Sequence, residues 1–126
     1  MVDSGSTDQT LNIVKQYPHT LVQIEAQNYF PGPVINNAIE LIKTPIIVML
    51  NSDSVMLSPK SLENLIDPLL SNQKNIIATV GRQLPRFDAE LWVQRDYQKS
   101  FPEKGPLPSY ITLSFPLTAF KRSAWE

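Results

Sequence analysis

Polar residues that could bind a ligand are concentrated in two short segments of the chain. The first, DSGSTDQT at positions 3–10, places carboxylates and hydroxyls around Gly5, directly after Val2. Glycine allows the backbone to turn sharply, and a helix that starts immediately afterwards presents its free N–H groups to a ligand. The segment therefore predicts a strand-to-helix turn that approaches a ligand closely. An alternative is that Asp3 and Asp8 only organise a turn and cap a helix.

The second segment is Asn51-Ser52-Asp53, about fifty residues after Asp3 and directly after the longest apolar run, 45–50. Ligands of open α/β sheets bind at the carboxyl ends of the strands, where this carboxylate would lie. A strand-ending turn without a chemical role is the alternative.

Composition excludes several classes of protein. The 126 residues fit a single domain, and 42% of them are hydrophobic, as in globular proteins. Lys plus Arg number 11 against 12 for Asp plus Glu, so no broad basic surface points to a nucleic acid. The absence of cysteine excludes disulfides, thiolate metal sites and cysteine nucleophiles. The apolar run at 45–50 is far shorter than the roughly 20 residues that span a bilayer.

Hydrophobic periodicity predicts helices that alternate with strands. The predicted helices begin with Ser6 or Thr7 as the N-cap of the first, Val34 in the second, Ser58-Pro59 in the third and Asp88 in the fourth. The predicted strands are 20–25, 46–50 and 76–80, with a loop at 26–33. We expect the strand at 46–50 to be buried on both faces and a last helix to begin within 120–125. Such alternation predicts an α/β fold with a mostly parallel sheet.

The start of the chain leads to an expectation about completeness. Only Met1 and Val2 precede the first turn, where a parallel sheet normally has a complete strand. We therefore expect a partial domain, truncated at both ends, with an unpaired strand edge. Because unpaired edges recruit partners, we also expect a marginally stable monomer or a homo-oligomer.

Five segments together resemble family 2 glycosyltransferases with the GT-A fold. They occur in the family's order and are 2–10, 36–39, 50–53, 81–83 and 121–125. The resemblance implies an α/β, Rossmann-like, GT-A type domain with a mostly parallel sheet flanked by helices. It also implies one partial domain over 1–126, in which 1–80 is the nucleotide-sugar-binding half and 81–126 begins the acceptor-side region.

The resemblance assigns roles to particular residues. It implies that Asp3 contacts the nucleoside of a UDP- or dTDP-sugar. The other residues with implied substrate contacts are Ser4, Gly5, Ser6, Asn36, Ser52 and Arg82. Asp53 is expected to hold Mg²⁺ or Mn²⁺ with Asn51, which stands in place of the first Asp of the family's Asp-x-Asp motif.

Arginine is also missing at one position of the pattern. Many relatives have an arginine before the residue that corresponds to Asn36, and this chain has Ile35 there. Arg82 or Arg86 could supply a guanidinium to the diphosphate or the sugar, since that group matches phosphate geometry. A solvated arginine is the alternative.

The resemblance further implies inverting sugar transfer to an acceptor hydroxyl. The catalytic base is then unknown and expected beyond Glu126, while Asp88, Glu90 and Asp96 are interpreted as surface charges and His19 has no catalytic part. A carbohydrate or lipid-linked acceptor, polysaccharide and cell-envelope synthesis, and a cytoplasmic location, possibly at the inner face of the membrane, follow from the same resemblance. The competing hypothesis is a non-catalytic nucleotide-sugar-binding remnant or an interaction module.

Overall fold

The computed structural model describes residues 1–71, 75–105, 108 and 116–125. These form two compact units, Met1–Lys43 and Thr44–Glu126. The helices are α1 (Thr10–Val14), α2 (Pro31–Leu41), α3 (Ser61–Leu70) and α4 (Leu91–Ser100), with short 3₁₀ helices at Ala26–Asn28 and Arg122–Ala124. The strands are β1 (Val2–Asp3), β2 (Val22–Gln23), β3 (Ile46–Leu50), β4 (Ala78–Val80) and β5 (Leu117–Lys121).

In the first unit, the short strands β1 and β2 pair in parallel. Val2 lies opposite Val22 and Asp3 opposite Gln23. The predicted apolar face of α2 is confirmed, because Val34 and Ala38 are half-buried and Ile39 is 5% exposed. Val34 and Ala38 also border a small cavity of about 60 Å³ together with Val2 and Val22.

The loop predicted at 26–33 is only partly correct. Residues 26–28 form a 3₁₀ helix, and α2 already begins at Pro31. A proline in the first turn lacks only an N–H that would have no partner within the helix, and its fixed φ angle suits a helix start. The two prolines that indicated a loop therefore mark the beginning of the helix.

The predicted N-cap of α1 is wrong. The helix begins at Thr10 and Gln9 occupies the cap position, without a side-chain capping hydrogen bond. Ser6 instead donates its hydroxyl to Asp3. Asp8 accepts a hydrogen bond from the Thr10 N–H at 2.9 Å, so a carboxylate stabilises the first turn.

The second unit contains a three-stranded sheet in the order β3-β5-β4. Strand β5 is antiparallel to both neighbours, with Leu117 opposite Leu50 and Thr118 opposite Val80. Strands β3 and β4 consequently run in the same direction and their carboxyl ends lie at the same edge. Buried Leu65 and Leu69 of α3 form the core with Ala119 of β5. An α/β fold is therefore confirmed. The predicted parallel pairing is found between β1 and β2, whereas both pairings of β5 in the described residues are antiparallel.

Strand β5 corrects the prediction for the end of the chain. A helix was expected within 120–125, but β5 continues to Lys121 and only 122–124 are helical, as one 3₁₀ turn. Ala119 and Phe120 are 0% and 3% exposed. Their burial between two strands outweighs the local helical preference. Residues 109–115, which lead into β5, lie outside the described part of the chain.

Two smaller expectations are also wrong. Strand β3 was expected to be buried on both faces, yet Ile47 is 2% exposed and Leu50 is 51% exposed. The fourth helix was expected to start at Asp88, but α4 starts at Leu91 and the Asp88 carboxylate lies 3.6 Å from Arg86 Nε. None of the helices in the described residues has the length and apolar character that crossing a bilayer demands.

Candidate functional site

The turn after β1 is organised by the side chain of Asp3. This carboxylate is 3% exposed, and its Oδ2 accepts a hydrogen bond from the Gly5 N–H at 3.2 Å. Its Oδ1 accepts from the Ser6 N–H at 3.2 Å and from the Ser6 hydroxyl. Gly5 has φ +106°, a conformation that L side chains rarely adopt. The predicted sharp turn at Gly5 is thus present, and hydrogen bonds to the Asp3 carboxylate hold it.

These hydrogen bonds also set the charge of the turn. The Ser6 hydroxyl lowers the pKa of Asp3 from its ordinary value of 3.8, helped by the N–H groups of Gly5 and Ser6 and by the Gln23 side chain, while burial opposes the shift. The hydroxyl and N–H of Thr10 likewise lower the pKa of Asp8. Both carboxylates are therefore ionised at neutral pH.

Exposure separates the predicted contact residues of the first unit into two groups. Ser4, Gly5 and Ser6 are exposed, as is Asn36 on α2, while Asp3 is buried beneath the turn. Each of these exposed residues is accessible to a ligand. Asp3 influences the exposed residues of the turn through the hydrogen bonds that it accepts from Gly5 and Ser6. Its direct contact with a nucleoside stays a prediction.

In the second unit, two predicted segments meet at one edge of the sheet. The Asn51 N–H donates to the Pro116 carbonyl at 3.2 Å, and the Gly81 N–H donates to the Leu117 carbonyl at 2.9 Å. Asn51 and Gly81 therefore flank the first residues of β5, two strand spacings or about 10 Å apart. The structure thus brings the turn that contains Asp53 and the segment that contains Arg82 to the same edge.

The turn after β3 presents an accessible carboxylate. It is closed by a hydrogen bond from the Ser54 N–H to the Asn51 carbonyl at 3.1 Å, and Asn51, Ser52 and Asp53 are all exposed. Within the described residues, no group of three or more His, Cys, Asp and Glu side chains could hold a metal ion. Mg²⁺, however, is commonly bound through one or two carboxylates plus phosphate oxygens and water. Asp53 and the Asn51 amide oxygen fit a cation that binds together with a diphosphate.

Arg82 lines a groove beside β4. Its Nε donates to the Phe101 carbonyl at 3.2 Å, which ties the end of β4 to the end of α4. The groove is open, with a volume of about 490 Å³, and residues of α3, β4 and β5 line it. Its polar members include Ser61 and Asn64, which were not predicted as site residues. Both lie at the start of α3, where single polar residues are ordinary surface positions, so no local signal identified them.

The other candidates lie on the surface. The Arg86 side chain is 87% exposed and that of its partner Asp88 is 58% exposed. Glu90 accepts a hydrogen bond from the Trp92 indole N–H, and Asp96 is exposed on α4. His19 is exposed, with its Nδ1 2.6 Å from the Tyr17 carbonyl. These positions are those expected of surface charges.

Comparison with known proteins decides the family. The sequence profile described as glycosyl transferase family 2 matches residues 1–123. The chain belongs to that family. The resemblance deduced from the five segments is therefore confirmed.

One relative with a named activity is similar to part of this chain. The O-antigen chain rhamnosyltransferase WbaN of Salmonella anatum is 33% identical over 90 residues, which are 71% of this chain and 28% of the relative. The match thus covers less than a third of the length of that protein. No solved structure matches the chain significantly.

Proposed function

We propose that this glycosyl transferase family 2 chain transfers a sugar from a nucleotide-diphosphate sugar to an acceptor hydroxyl. The observation that carries the proposal is the shared edge of β3 and β4, where the exposed carboxylate of Asp53 and the guanidinium of Arg82 follow strand ends on either side of β5. Open α/β sheets bind their ligands at such edges. The rhamnosyltransferase relative makes a nucleotide-linked rhamnose the first donor to test.

The turn of the first unit would bind the nucleoside. Ser4 and Ser6 are exposed hydroxyl residues, and the Gly5 backbone is open because no atom lies within 4 Å of where its Cβ would be. A base or ribose can approach such a backbone and exchange hydrogen bonds with the hydroxyls. Asp3 would preserve this surface, since its ionised carboxylate keeps the Ser6 N–H and hydroxyl oriented.

The turn after β3 would bind phosphate groups. Asp53 and Asn51 would hold Mg²⁺ or Mn²⁺ together with phosphate oxygens. A cation held there would neutralise the negative charge that develops on the leaving nucleoside diphosphate. Ser52 lies between the two and is exposed, so its hydroxyl is available to a phosphate oxygen.

We further propose that the transfer inverts the configuration at the sugar. Direct displacement requires a base within hydrogen-bond reach of the acceptor hydroxyl. Asp88 and Glu90 already have partners in Arg86 and Trp92, so neither is proposed as that base. The acceptor would be a carbohydrate or lipid-linked sugar used in O-antigen-like polysaccharide synthesis, at the cytoplasmic face of the membrane.

Calorimetry tests the donor site. UDP and dTDP would be titrated into the chain with Mg²⁺, with Mn²⁺ and with a chelator, and we expect tighter binding with metal. Asp53→Ala should weaken metal-dependent binding roughly tenfold, or about 1.4 kcal/mol. Asp67→Ala, which removes an exposed acid from α3, is the matched control. Equal binding with and without metal would exclude the role of Asp53.

Turnover is measured separately. Transfer from a nucleotide-linked rhamnose to a mixture of glycosides would be followed by mass spectrometry. A product supports the enzyme. Nucleotide binding without any product under all conditions would favour the non-catalytic binding module.

A further inference from the structure

The groove between α3 and β4 carries polar groups besides Arg82, namely Ser61 and Asn64, that the proposed donor site does not use. Ser61 and Asn64 come from α3, and Arg82 follows β4. The groove is open, and its volume of about 490 Å³ is within the roughly 300–1,000 Å³ of small-molecule clefts. Asp53 is not among its described lining residues.

The hydrogen-bonding capacity of these groups is available to a ligand. The bond to Phe101 uses Nε of Arg82, so the guanidinium is fixed while its two Nη groups have no partner in the described residues. The side-chain amide of Asn64 has no partner there either. Ser61 Oγ accepts from the Ser58 N–H at 3.2 Å, which leaves the hydroxyl hydrogen free to be donated.

The composition of the lining indicates the chemical class of the ligand. Its described residues include no carboxylate, so a cation has no counter-charge, and a single arginine is too little for a polyphosphate. Leu65, Val80 and Leu117 add apolar surface. Neutral donors and acceptors above an apolar floor suit a sugar, which presents hydroxyls at its rim and C–H groups on its faces.

The location of the groove indicates which substrate it binds. Gly81 and Arg82 follow β4 at the edge where Asp53 follows β3, and Leu117 lies between the two strands. We propose that the α3–β4 groove binds a sugar of the acceptor, with Ser61, Asn64 and Arg82 as its hydrogen-bonding groups. The proposal rests on the proposed function, because it assigns the acceptor a subsite beside the donor.

Nuclear magnetic resonance of the ¹⁵N-labelled chain tests the groove. Methyl glycosides of rhamnose, galactose, glucose and mannose would be titrated with Mg²⁺ and dTDP present. We expect saturable shifts of the Asn64 side-chain amide and the Gly81 and Arg82 backbone amides for at least one glycoside. Asn64→Ala and Arg82→Gln should each raise its Kd about fivefold, the effect of one hydrogen bond. Gln98→Ala, which removes an exposed amide from α4, should leave Kd unchanged.

The outcomes separate this inference from the proposed function. If dTDP shifts residues 51–53 but none of the four glycosides shifts the groove, the acceptor assignment is overturned and the donor site stands. If dTDP itself shifts Asn64 and competes with the glycosides, the groove holds the nucleotide, which also overturns the assignment. Glycoside shifts in the groove without nucleotide binding would support the subsite and count against the proposed donor site.

Discussion

Ser6 donates both its backbone N–H and its hydroxyl to the carboxylate of Asp3. The interaction closes the turn after β1 and stabilises the ionised carboxylate in a position that is 3% exposed. A substitution at either residue should therefore change the conformation of the turn, and it should affect ligand binding only through that change.

The melting temperature at acidic pH should reveal how much Asp3 contributes to the stability of the fold. Its pKa is lowered in the folded state, so the stabilisation is complete above the ordinary pKa of 3.8 and is lost as the pH falls through the lower, folded-state value. We expect Asp3→Asn to have a shallower decline of melting temperature below about pH 4 than the parent chain. Ser6→Ala should show an intermediate decline. Identical profiles for all three chains would contradict the hydrogen-bonded arrangement.

Replacing Gly5 by alanine should destabilise the turn through backbone strain alone. Its φ is +106° and no atom lies within 4 Å of the added Cβ, so we expect a loss of about 1–2 kcal/mol. Gly32→Ala is the matched control, since Gly32 also has open space but lies within helix α2. Gly32 precedes Pro33, whose ring disfavours helical backbone at a residue with a Cβ, so alanine does not bring the full gain of a mid-helix position. We expect Gly32→Ala to change the free energy of unfolding by less than about 0.5 kcal/mol. Urea unfolding of both variants measures the difference, and equal losses would refute the argument.

Gly81→Ala should be destabilising for a steric reason. The new Cβ would lie 2.5 Å from Leu117 Cδ2 and 2.9 Å from Cγ, so the leucine must move, at a cost of about 1–3 kcal/mol. Leu117→Ala removes the obstacle. A double-mutant cycle should therefore show that Gly81→Ala costs less in the Leu117→Ala background. Additive losses would mean that the contact is not the cause.

A second carboxylate should strengthen metal-dependent nucleotide binding. Asn51 is exposed in the turn that contains Asp53, so Asn51→Asp adds charge without disturbing the core. We expect Mn²⁺-dependent affinity for dTDP or UDP to rise roughly tenfold, or about 1.4 kcal/mol. Calorimetry in chelator provides the control, where the variant should gain nothing. A gain without metal would point to a direct effect on the nucleotide.

The two tryptophans provide a matched pair of substitutions. Trp125 stacks on Phe120 with ring centroids 5.3 Å apart and an interplanar angle of 25°, whereas Trp92 is 69% exposed. Trp125→Ala should lose at least the roughly 0.5–1.5 kcal/mol of an aromatic pair. Trp92→Ala should change stability by less than about 0.5 kcal/mol. Denaturation followed by circular dichroism compares them, and equal losses would refute the stacking contribution.

Local sequence signals predicted the elements that a local pattern encodes. The apolar run marked the bounds of β3, which occupies the predicted residues 46–50, and the apolar face of α2 is as expected because helical period and burial agree there. Asp3 illustrates the limit. Its residue type fits both a ligand contact and a turn, and only the three-dimensional hydrogen bonds show that it holds the turn.

Strand β5 and the groove could not be predicted for a different reason. Whether 117–121 becomes a strand depends on pairing with β3 and β4, which are distant in sequence, and no local period encodes that pairing. Ser61 and Asn64 were overlooked because single polar residues at the start of a helix are ordinary surface positions. Their relation to Arg82 appears only when β4 lies beside α3. The expected homo-oligomer stays a prediction, which light scattering after size exclusion would test.

The central position of β5 has a consequence for how the polypeptide acquires its structure during synthesis. Strands β3 and β4 are made first, yet each is hydrogen-bonded to a strand that leaves the ribosome only after both of them. Until then, Ile47 and its neighbours have no partner strand in this sheet. The nascent chain thus passes through a period in which apolar strand edges are open to chaperones or to other nascent chains. Because these contacts are distant in sequence, closure of the sheet should be the slow step of folding.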